Sequence, residues 1–363
     1  MVLTKERDNL SAIRLIQIGA GGFGQSWLKV ATEHPNVELV AVADIMEDNL
    51  RLAGELTSLP PERLFTSPEL ALSQAAADMA LIVTPPQTHK ELAVTAMQAG
   101  LHVLMEKPLA HTYSEALELL TLSKGHNMKL GISQNYRWRP PVQTVKRLLD
   151  EQAIGKIGYV EYEFRKAMKF GGWRDNYKEI LLEDMSIHHF DIMRFLLGAD
   201  PVDVMAHSFR PDWSWFSGKP SASAVIRFEQ DVHVHYFGSW VSRGQETTWN
   251  GDIRIVGDRG AIEMIGDEVK LWLGEAPHQA VCQDIELIVM PCDDRASSLD
   301  NFVAAVVGGT EPATSIGDNI RSFELTCAAI RSAQTGQRIN ISEFRQRTEA
   351  ENATVRSVRH TVE

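Results

Sequence analysis

The chain has 363 residues, of which 44% are hydrophobic and 23% are charged, so a disordered protein is excluded and there is apolar material for two cores. Its formal net charge of −12 argues against a nucleic-acid-binding surface, and no apolar run reaches the roughly 18 residues of a membrane span. Because the start lacks the apolar segment of a secretory signal and the three cysteines follow no disulfide pattern, we expect about two domains, reduced thiols and a cytoplasmic location.

The first predicted element is a buried strand, Ile13 to Ile18, which leads directly into a glycine-rich turn with GxGxxG spacing and then into a helical pattern. In such a turn the glycines allow tight bending, close approach of a pyrophosphate to the backbone, and close packing of helix against strand. The phosphates then meet the free amides at the start of the helix. An ordinary glycine-rich turn is the alternative interpretation. The predicted dinucleotide-binding residues are Gly19, Gly21, Gly22, Phe23 and Gly24.

A second predicted strand, Val37 to Ala43, ends at Asp44, 20 positions after Gly24. A carboxylate at this place can bind a ribose 2′-hydroxyl and repels a 2′-phosphate. The next residue, Ile45, is neither basic nor a hydroxyl residue, which also favours NAD over NADP. The alternative is that Asp44 is a turn residue at the end of a strand.

Strands and helices continue to alternate up to about residue 133, which predicts a doubly wound parallel sheet. The further strands are predicted at 77–84, 101–105 and 128–133, and the helices at about 88–99 and 113–124. Ligands of such folds bind outside the carboxyl ends of the strands. The residues at these ends that complete the predicted cofactor site are Thr84, Pro85, Pro86, His89, Glu106 and Lys107. A solvated surface lysine is the alternative for Lys107.

The pattern changes after about residue 135, where Arg137-Trp138-Arg139-Pro140-Pro141 indicates a hinge before a helix near 142–152. We therefore expect a Rossmann domain over residues 1–135, a second domain over 136–345 and a charged, frayed tail over 346–363. The polar segment 166–179 is either a substrate loop or a plain connection. If it is a substrate loop, the contacts it offers are Trp173 and Arg174, with Arg137 a further candidate.

The segment from Leu181 to Gly198 predicts a helix whose apolar residues surround its axis, with Gly198 as its C-terminal cap. A helix of this kind is buried, and buried carboxylates and imidazoles need compensating partners. Asp184, His188 and Asp191 are spaced four and three residues apart, so they share one face, whereas His189 points about 100° away.

That polar stripe has two other interpretations. Buried His and Asp residues often form a hydrogen-bonded pair that only holds two elements in register. A carboxylate and a histidine four residues apart can also share a metal ion, but the chain contains no HExxH or CxxC motif, and we expect no metal.

The segments after the central helix alternate apolar and polar residues, as in a large, mostly antiparallel sheet with two different faces. They are 223–228, 232–240, 252–256, 261–265 and 269–273, in addition to a strand ending at Phe164, and helices near 297–307 and 316–334 follow. Five tryptophans follow the central helix: Trp213, Trp215, Trp240, Trp249 and Trp272. If the helices cover one face, the other meets water or a second subunit, so we expect homo-oligomers, although core packing would explain most of these aromatics individually.

Several motifs in this order resemble the glucose–fructose oxidoreductase/inositol dehydrogenase (Gfo/Idh/MocA) family over about residues 13–340. They are GAGGFG, Asp44, TPPQTH at 84–89, EKPLA at 106–110, GKIG at 155–158, DMSIHHFD at 184–191, VGDRG at 256–260 and SAQTGQRI at 332–339. The resemblance implies an α/β protein with an N-terminal Rossmann domain and a C-terminal domain with a large open sheet. It also implies a sugar, cyclitol or related polyol substrate, and dimers or tetramers formed through that sheet.

The family's catalytic lysine matches Lys107, and its catalytic aspartate and histidine match Asp184 and His188; Ser186 stands where many relatives have glycine. Oxidation of a secondary alcohol requires removal of the hydroxyl proton as the hydride leaves carbon. With an ordinary pKa of ~6.5, His188 suits the general base. Asp184 would orient it and Lys107 would stabilise the developing alkoxide. These three roles are hypotheses.

Two other functions remain open for the same fold. One is a reductase of another carbonyl, such as an imine-type or cyclic diol substrate. The other is a non-catalytic nucleotide-sensing regulator, which has no need to keep a lysine, an aspartate and a histidine in the catalytic positions. The chain keeps Lys107, Asp184 and His188, so an NAD-dependent dehydrogenase is the main prediction.

Overall fold

The computed structural model describes residues 12–362 except Glu275, Pro277 and His278, and it describes the side chains of residues up to 354 apart from that of Trp173. The chain folds into two compact units. The first contains the residues up to Asn135 together with Cys292–Ile320, and the second contains Tyr136–Pro291 and the residues from Arg321 onward.

The first unit is a parallel sheet with helices in its crossovers. Its elements up to Asn135 are β1 (Ile13–Ile18), α1 (Gly22–Glu33), β2 (Val37–Ala43), α2 (Glu47–Thr57), β3 (Leu64–Phe65), α3 (Pro68–Gln74), β4 (Met79–Ile82), α4 (His89–Gln98), β5 (His102–Glu106), α5 (Tyr113–Ser123) and β6 (Leu130–Ser133). The described residues give the strand order β3-β2-β1-β4-β5-β6, with the reversal between β1 and β4. The central strand β4 is buried along its whole length, as expected for a sheet covered by helices on both faces.

The second unit is built around a large sheet. Its elements up to residue 291 are α6 (Pro140–Asp150), β7 (Ile157–Arg165), α7 (Ile187–Leu197), β8 (Pro201–Phe209), β9 (Ser221–Phe228), β10 (His233–Ser239), β11 (Asp252–Gly257), β12 (Gly260–Ile265), β13 (Glu268–Leu273) and β14 (Val281–Ile285). The chain continues with α8 (Asp294–Gly308), α9 (Ile316–Thr335), β15 (Ile339–Asn340) and α10 (Ile341–Val362).

Among the described residues the sheet has nine strands in the order β14-β13-β12-β11-β7-β10-β9-β8-β15. All neighbours are antiparallel except β7 and β10. The predicted α/β fold, with a Rossmann sheet and a second, mostly antiparallel sheet, is confirmed.

The two faces of the large sheet differ, as the alternation predicted. Along β7, Val160, Tyr162 and Phe164 are buried, whereas the residues between them are exposed. The buried side chains pack with apolar residues of α6 and α7 in the core of the second unit. Of the five tryptophans, Trp240 is fully buried and Trp213 is 55% exposed, so the tryptophan count by itself is weak support for a subunit interface.

Residues 292–320 lie in the first unit, whereas the predicted second domain ran unbroken to residue 345. The side chains of Leu299, Phe302 and Val303 from α8 join the core of the Rossmann sheet. The backbone N–H of Ile132 in β6 donates to the carbonyl of Thr314 at 2.9 Å. This return of the chain covers the last strand of the parallel sheet, which would otherwise leave an open edge.

The charged C-terminal segment differs from the frayed tail that the sequence predicted, because it forms α10 over Ile341–Val362. Arg345 of this helix pairs with the carboxylate of Glu324 in α9, with Nε and Oε1 2.8 Å apart. In the part of the chain that the structure describes, no helix combines the length and the apolar character needed to cross a bilayer.

Candidate active site

The glycine-rich turn after β1 has the close contacts that its spacing predicts. Gly19 has a φ of +98°, and a side-chain carbon there would lie 2.3 Å from the carbonyl oxygen of Val83. A carbon on Gly24 would lie 2.4 Å from the carbonyl oxygen of Gly19. Above Gly21 and Gly22, in contrast, the space is open, with nothing closer than 3.9 Å to an added carbon. The turn therefore fits a pyrophosphate resting on bare backbone at the start of α1.

A buried glutamine that the sequence analysis did not select supports this turn. The side-chain amide of Gln17, within β1, donates to the carbonyl oxygens of Gly19 and Gly24, each at 2.8 Å. These two bonds join the ends of the GxGxxG segment. In the sequence, the one sign of this role was that Gln17 is polar within a mostly apolar strand.

Asp44 follows β2 at the same edge of the sheet, and its carboxylate is tied to the turn. It accepts hydrogen bonds from the backbone N–H of Ala20 at 2.7 Å, from that of Met46 at 2.8 Å, and from the side-chain amide of Asn49 at 3.0 Å. The next side chain, Ile45, is 79% exposed. Asp44 is thus held beside the first glycines of the turn.

Glu106 and Lys107 end β5, but their side chains have different surroundings. Glu106 is buried and accepts from the indole N–H of Trp27 at 2.7 Å and from the backbone N–H of Lys107 at 3.1 Å. Burial raises the pKa of its carboxyl. Glu106 therefore fastens β5 to α1, whereas Lys107 is only partly buried.

His89 is fully buried between two loops of the predicted cofactor site. Its Nδ1 lies 2.8 Å from the carbonyl oxygen of Pro108, and its Nε2 lies 2.8 Å from that of Thr84. Burial lowers the pKa of the ring, and a neutral imidazole donates to one of these carbonyls at a time. His89 therefore joins the loop after β4 to the loop after β5, and its ring is not presented to a ligand.

The central segment is helical throughout, but it is not one continuous α-helix. Leu181–Ser186 form a π-helical turn and α7 follows directly. The side-chain hydroxyl of Ser186 donates to the carbonyl of Leu181, five residues earlier, at 3.2 Å. Gly198 ends α7 in the left-handed conformation, which confirms the predicted cap. Single π-helical turns occur frequently at functional sites.

His188 is buried and stacked. Its ring lies parallel to that of Tyr136, with the ring centres 4.2 Å apart and an angle of 11° between the planes. The guanidinium carbon of Arg139 lies 3.4 Å from the centre of the Tyr136 ring. Both supporting residues come from the segment 135–141, in which the sequence suggested a hinge and a substrate contact at Arg137. The stack fixes the plane of the imidazole.

Asp191, the third member of the polar stripe, belongs to a buried ion pair. Arg137 donates to its carboxylate from Nε at 2.5 Å and from Nη2 at 2.7 Å, and the hydroxyl of Ser322 donates to it at 2.7 Å. Arg137 is 5% exposed. Both charges are thereby compensated, and they hold α7 to neighbouring elements. The structure thus gives Arg137, a predicted substrate contact, a supporting role.

Asp184, four residues before His188, is the second candidate for chemistry in this segment. It lies in the π-helical turn, its side chain is 13% exposed, and its Oδ1 lies 3.5 Å from Nε of Arg174. Arg174 comes from the segment 166–179, so this segment reaches Asp184 at least through one ion pair. The side chain of Trp173 lies outside the described residues.

His189 points to another surface, as predicted. Its Nδ1 lies 3.0 Å from the hydroxyl of Tyr236, and its Nε2 lies 3.3 Å from the carbonyl oxygen of Trp249. Burial lowers the pKa of this ring to about 3. A neutral ring that accepts from Tyr236 and donates to Trp249 satisfies both contacts. His189 is therefore an uncharged core residue.

This lowered pKa predicts an acid-sensitive second unit. The unfolded chain takes up a proton on His189 below its ordinary pKa of ~6.5, while the folded chain does so only near 3. The stabilisation is thus complete above pH ~6.5 and is lost as the pH falls towards 3, with a slope of up to about 1.4 kcal/mol per pH unit. We expect His189→Asn to flatten this slope, measured by urea unfolding between pH 7 and 4.5. His126→Asn, in the turn after α5 and away from the large sheet, is the matched control; an unchanged slope in His189→Asn would contradict the assignment.

Two family models match the chain, one in each half. The model described as "Oxidoreductase family, NAD-binding Rossmann fold" matches residues 13–134, and the model of the GFO/IDH/MocA C-terminal domain matches residues 142–263. Their order along the chain is that of the two sheets.

Curated relatives match over nearly the whole length. D-apiose dehydrogenase of Paraburkholderia graminis is 27% identical over 348 residues, covering 93% of this chain and 92% of the relative. Inositol 2-dehydrogenase of Rhizobium meliloti is 25% identical over 347 residues, covering 91% and 99%. An oxidoreductase from Agrobacterium radiobacter, solved with NAD+, L-tartaric acid and magnesium, has a similar fold, with a TM-score of 0.83, 22% identity and coverage of 92% and 99%. The chain therefore belongs to the Gfo/Idh/MocA family of oxidoreductases and carries an NAD-binding Rossmann domain.

Proposed function

We propose that the chain is an NAD-dependent dehydrogenase that interconverts a secondary alcohol and a ketone on a sugar, cyclitol or related polyol. The observation that carries this proposal is the setting of His188, a buried imidazole fixed against Tyr136 and preceded by Asp184 in the adjoining π-helical turn. The names of the relatives support the substrate class, since they include an apiose dehydrogenase and inositol dehydrogenases.

Each of the three candidate residues has a distinct role in the proposed reaction. Bound NAD supplies the hydride acceptor. His188 removes the proton from the substrate hydroxyl, which is the general-base step that alcohol oxidation needs. Asp184 sets the orientation of the imidazole and stabilises its charged form. Lys107 offers a positive N–H donor to the oxygen on which negative charge develops.

The proposed preference for NAD over NADP comes from Asp44. Its carboxylate is held beside the glycine-rich turn by the N–H groups of Ala20 and Met46. A carboxylate in this place accepts a hydrogen bond from a ribose 2′-hydroxyl and repels a 2′-phosphate. The exposed Ile45 beside it adds no positive charge that would compensate for this repulsion.

An assay of NADH formation tests the proposal. The purified chain is incubated with NAD or NADP and a panel of inositols, aldoses and anhydro sugars, and absorbance at 340 nm is followed. We expect turnover with at least one polyol and a higher kcat/KM with NAD. Tight NAD binding without turnover on any polyol or carbonyl would instead support the regulator, and turnover confined to other carbonyls would support the alternative reductase.

We also propose that the exposed face of the large sheet joins copies of this chain. Met205 of β8 and Val225 of β9 are paired in register, and each side chain is 39% exposed. Tyr159 of β7 is exposed to the same extent. Apolar side chains clustered on one face mark interaction surfaces.

We expect light scattering to give a dimer or larger species for the wild type and a smaller species for Val225→Asp. A wild-type protein that is monomeric at micromolar concentration would refute the proposed interface.

A further inference from the structure

Arg295 lies beside the glycine-rich turn and the start of α1, whose own residues carry no positive charge. The glycine-rich turn and the start of α1, residues 19–26, contain no lysine or arginine. Lys29, further along α1, has a side chain that is 76% exposed and pairs with Glu33. A pyrophosphate carries about two negative charges, so the turn alone meets it only with amide groups and the helix dipole.

The guanidinium of Arg295 lies against the first turns of α1. Its central carbon is 5.1 Å from the ring centre of Phe23 and 5.9 Å from that of Trp27, and its Nη1 donates to the hydroxyl of Ser26. Arg295 belongs to α8, the part of the chain that returns to the first unit after residue 291. A residue remote in sequence thus brings a positive charge to the start of α1.

The same guanidinium also interacts electrostatically with the end of β5. Its positive charge lowers the pKa of the Glu106 carboxyl, as the charge of Lys107 does. Burial has the larger and opposite effect on that pKa. Glu106 is in turn bonded to Trp27. Arg295 is therefore near both the start of α1 and the carboxyl end of β5, and a dinucleotide bound to a doubly wound sheet passes over such strand ends.

The chemistry of the side chain suits a phosphate. Arginine has five N–H donors in a planar fork that matches phosphate oxygens, and the bond to Ser26 uses one of them. Arg295 is partly exposed and its neighbour Phe23 is 48% exposed, so the guanidinium is open to solvent beside the start of α1. Stacking on an aromatic ring also restricts the side chain before a ligand arrives.

We propose that Arg295 is a further cofactor-binding residue, which binds the pyrophosphate of NAD from the segment that returns to the first unit. The inference depends on the NAD-binding Rossmann domain and not on the proposed polyol reaction. It can therefore fail or hold independently of that reaction.

The test compares ligands with and without the pyrophosphate, with dissociation constants measured by calorimetry and by ligand-observed NMR. ADP-ribose contains both phosphates and lacks nicotinamide, whereas adenosine contains neither phosphate. We expect Arg295→Met to weaken the binding of NAD and ADP-ribose about tenfold or more and to change adenosine binding less than twofold. Arg295→Lys should retain part of the affinity, because it keeps the charge and loses the fork.

Salt dependence gives an independent readout, because screening weakens a charge–phosphate contact. ADP-ribose binding by the wild type should fall more steeply with added KCl than binding by Arg295→Met. Lys29→Met, which removes a positive charge from the same helix, should behave like the wild type, and thermal melting verifies that each variant is folded. Wild-type ADP-ribose affinity in Arg295→Met, or an equal loss of adenosine affinity, would overturn the proposal; the second result would make Arg295 a packing residue.

Discussion

Replacement of His188 by alanine is expected to lower kcat by about 10²–10⁴-fold, because the proposed reaction loses its general base. Loss of the imidazole removes the group that takes the hydroxyl proton, but it leaves the glycine-rich turn and Asp44 intact in the first unit. The dissociation constant for NAD should therefore change little. Steady-state kinetics on the best polyol of the panel and titration with NADH measure the two effects separately.

The matched control for this variant is His126→Ala, in the turn after α5 and away from the large sheet. It should keep wild-type kcat and NAD affinity. A His188→Ala protein that is folded and loses NAD affinity as strongly as turnover would exclude His188 as the base. Tyr136→Phe keeps the ring stacked on His188 and should retain most of the activity.

Replacement of Lys107 by methionine is expected to lower kcat by about 10²–10³-fold, the range seen when one donor to a developing oxyanion is removed. Methionine keeps a long apolar side chain and removes the charge and its N–H donors. Glu106 would keep its bond to the indole of Trp27, so the end of β5 should remain in place. Kinetics at saturating NAD separate this effect from cofactor binding.

Lys124→Met, at an exposed position after α5, is the control and should leave kcat unchanged. If Lys107→Met raised only the KM for NAD and kept kcat, Lys107 would be a cofactor contact and not the group that stabilises the alkoxide.

Much of the fold follows from local patterns. The predicted bounds of β1 and β2 match the structure because strands of a covered parallel sheet are short apolar runs with clear ends. The short β3 was not predicted, since its two residues form a strand only by pairing with Val42 and Ala43 of β2. The strand β8 was also missed. Its partner in the sheet, β9, begins only after a loop, so no short hairpin signal marks the pair.

The candidate site was predicted less completely than the fold. The sequence singled out His188, but not the stack on Tyr136 or the charge of Arg139 near that ring. It grouped Asp191 with the site, although the structure pairs this carboxylate with Arg137. Spacing along a helix states which side chains share a face. It does not state which partners each of them meets.

By itself, the sequence determined the strand–helix alternation, the glycine-rich turn, the cap at Gly198 and the family motifs, since each depends on conformational preferences within about ten residues. Only the tertiary structure decided which partners the buried charged and polar groups meet. The partners of Asp191 and Trp27 are 54 and 79 residues away, and that of Ser26 is 269 residues away. Contacts of this range arise from packing between distant segments, and no local pattern encodes them.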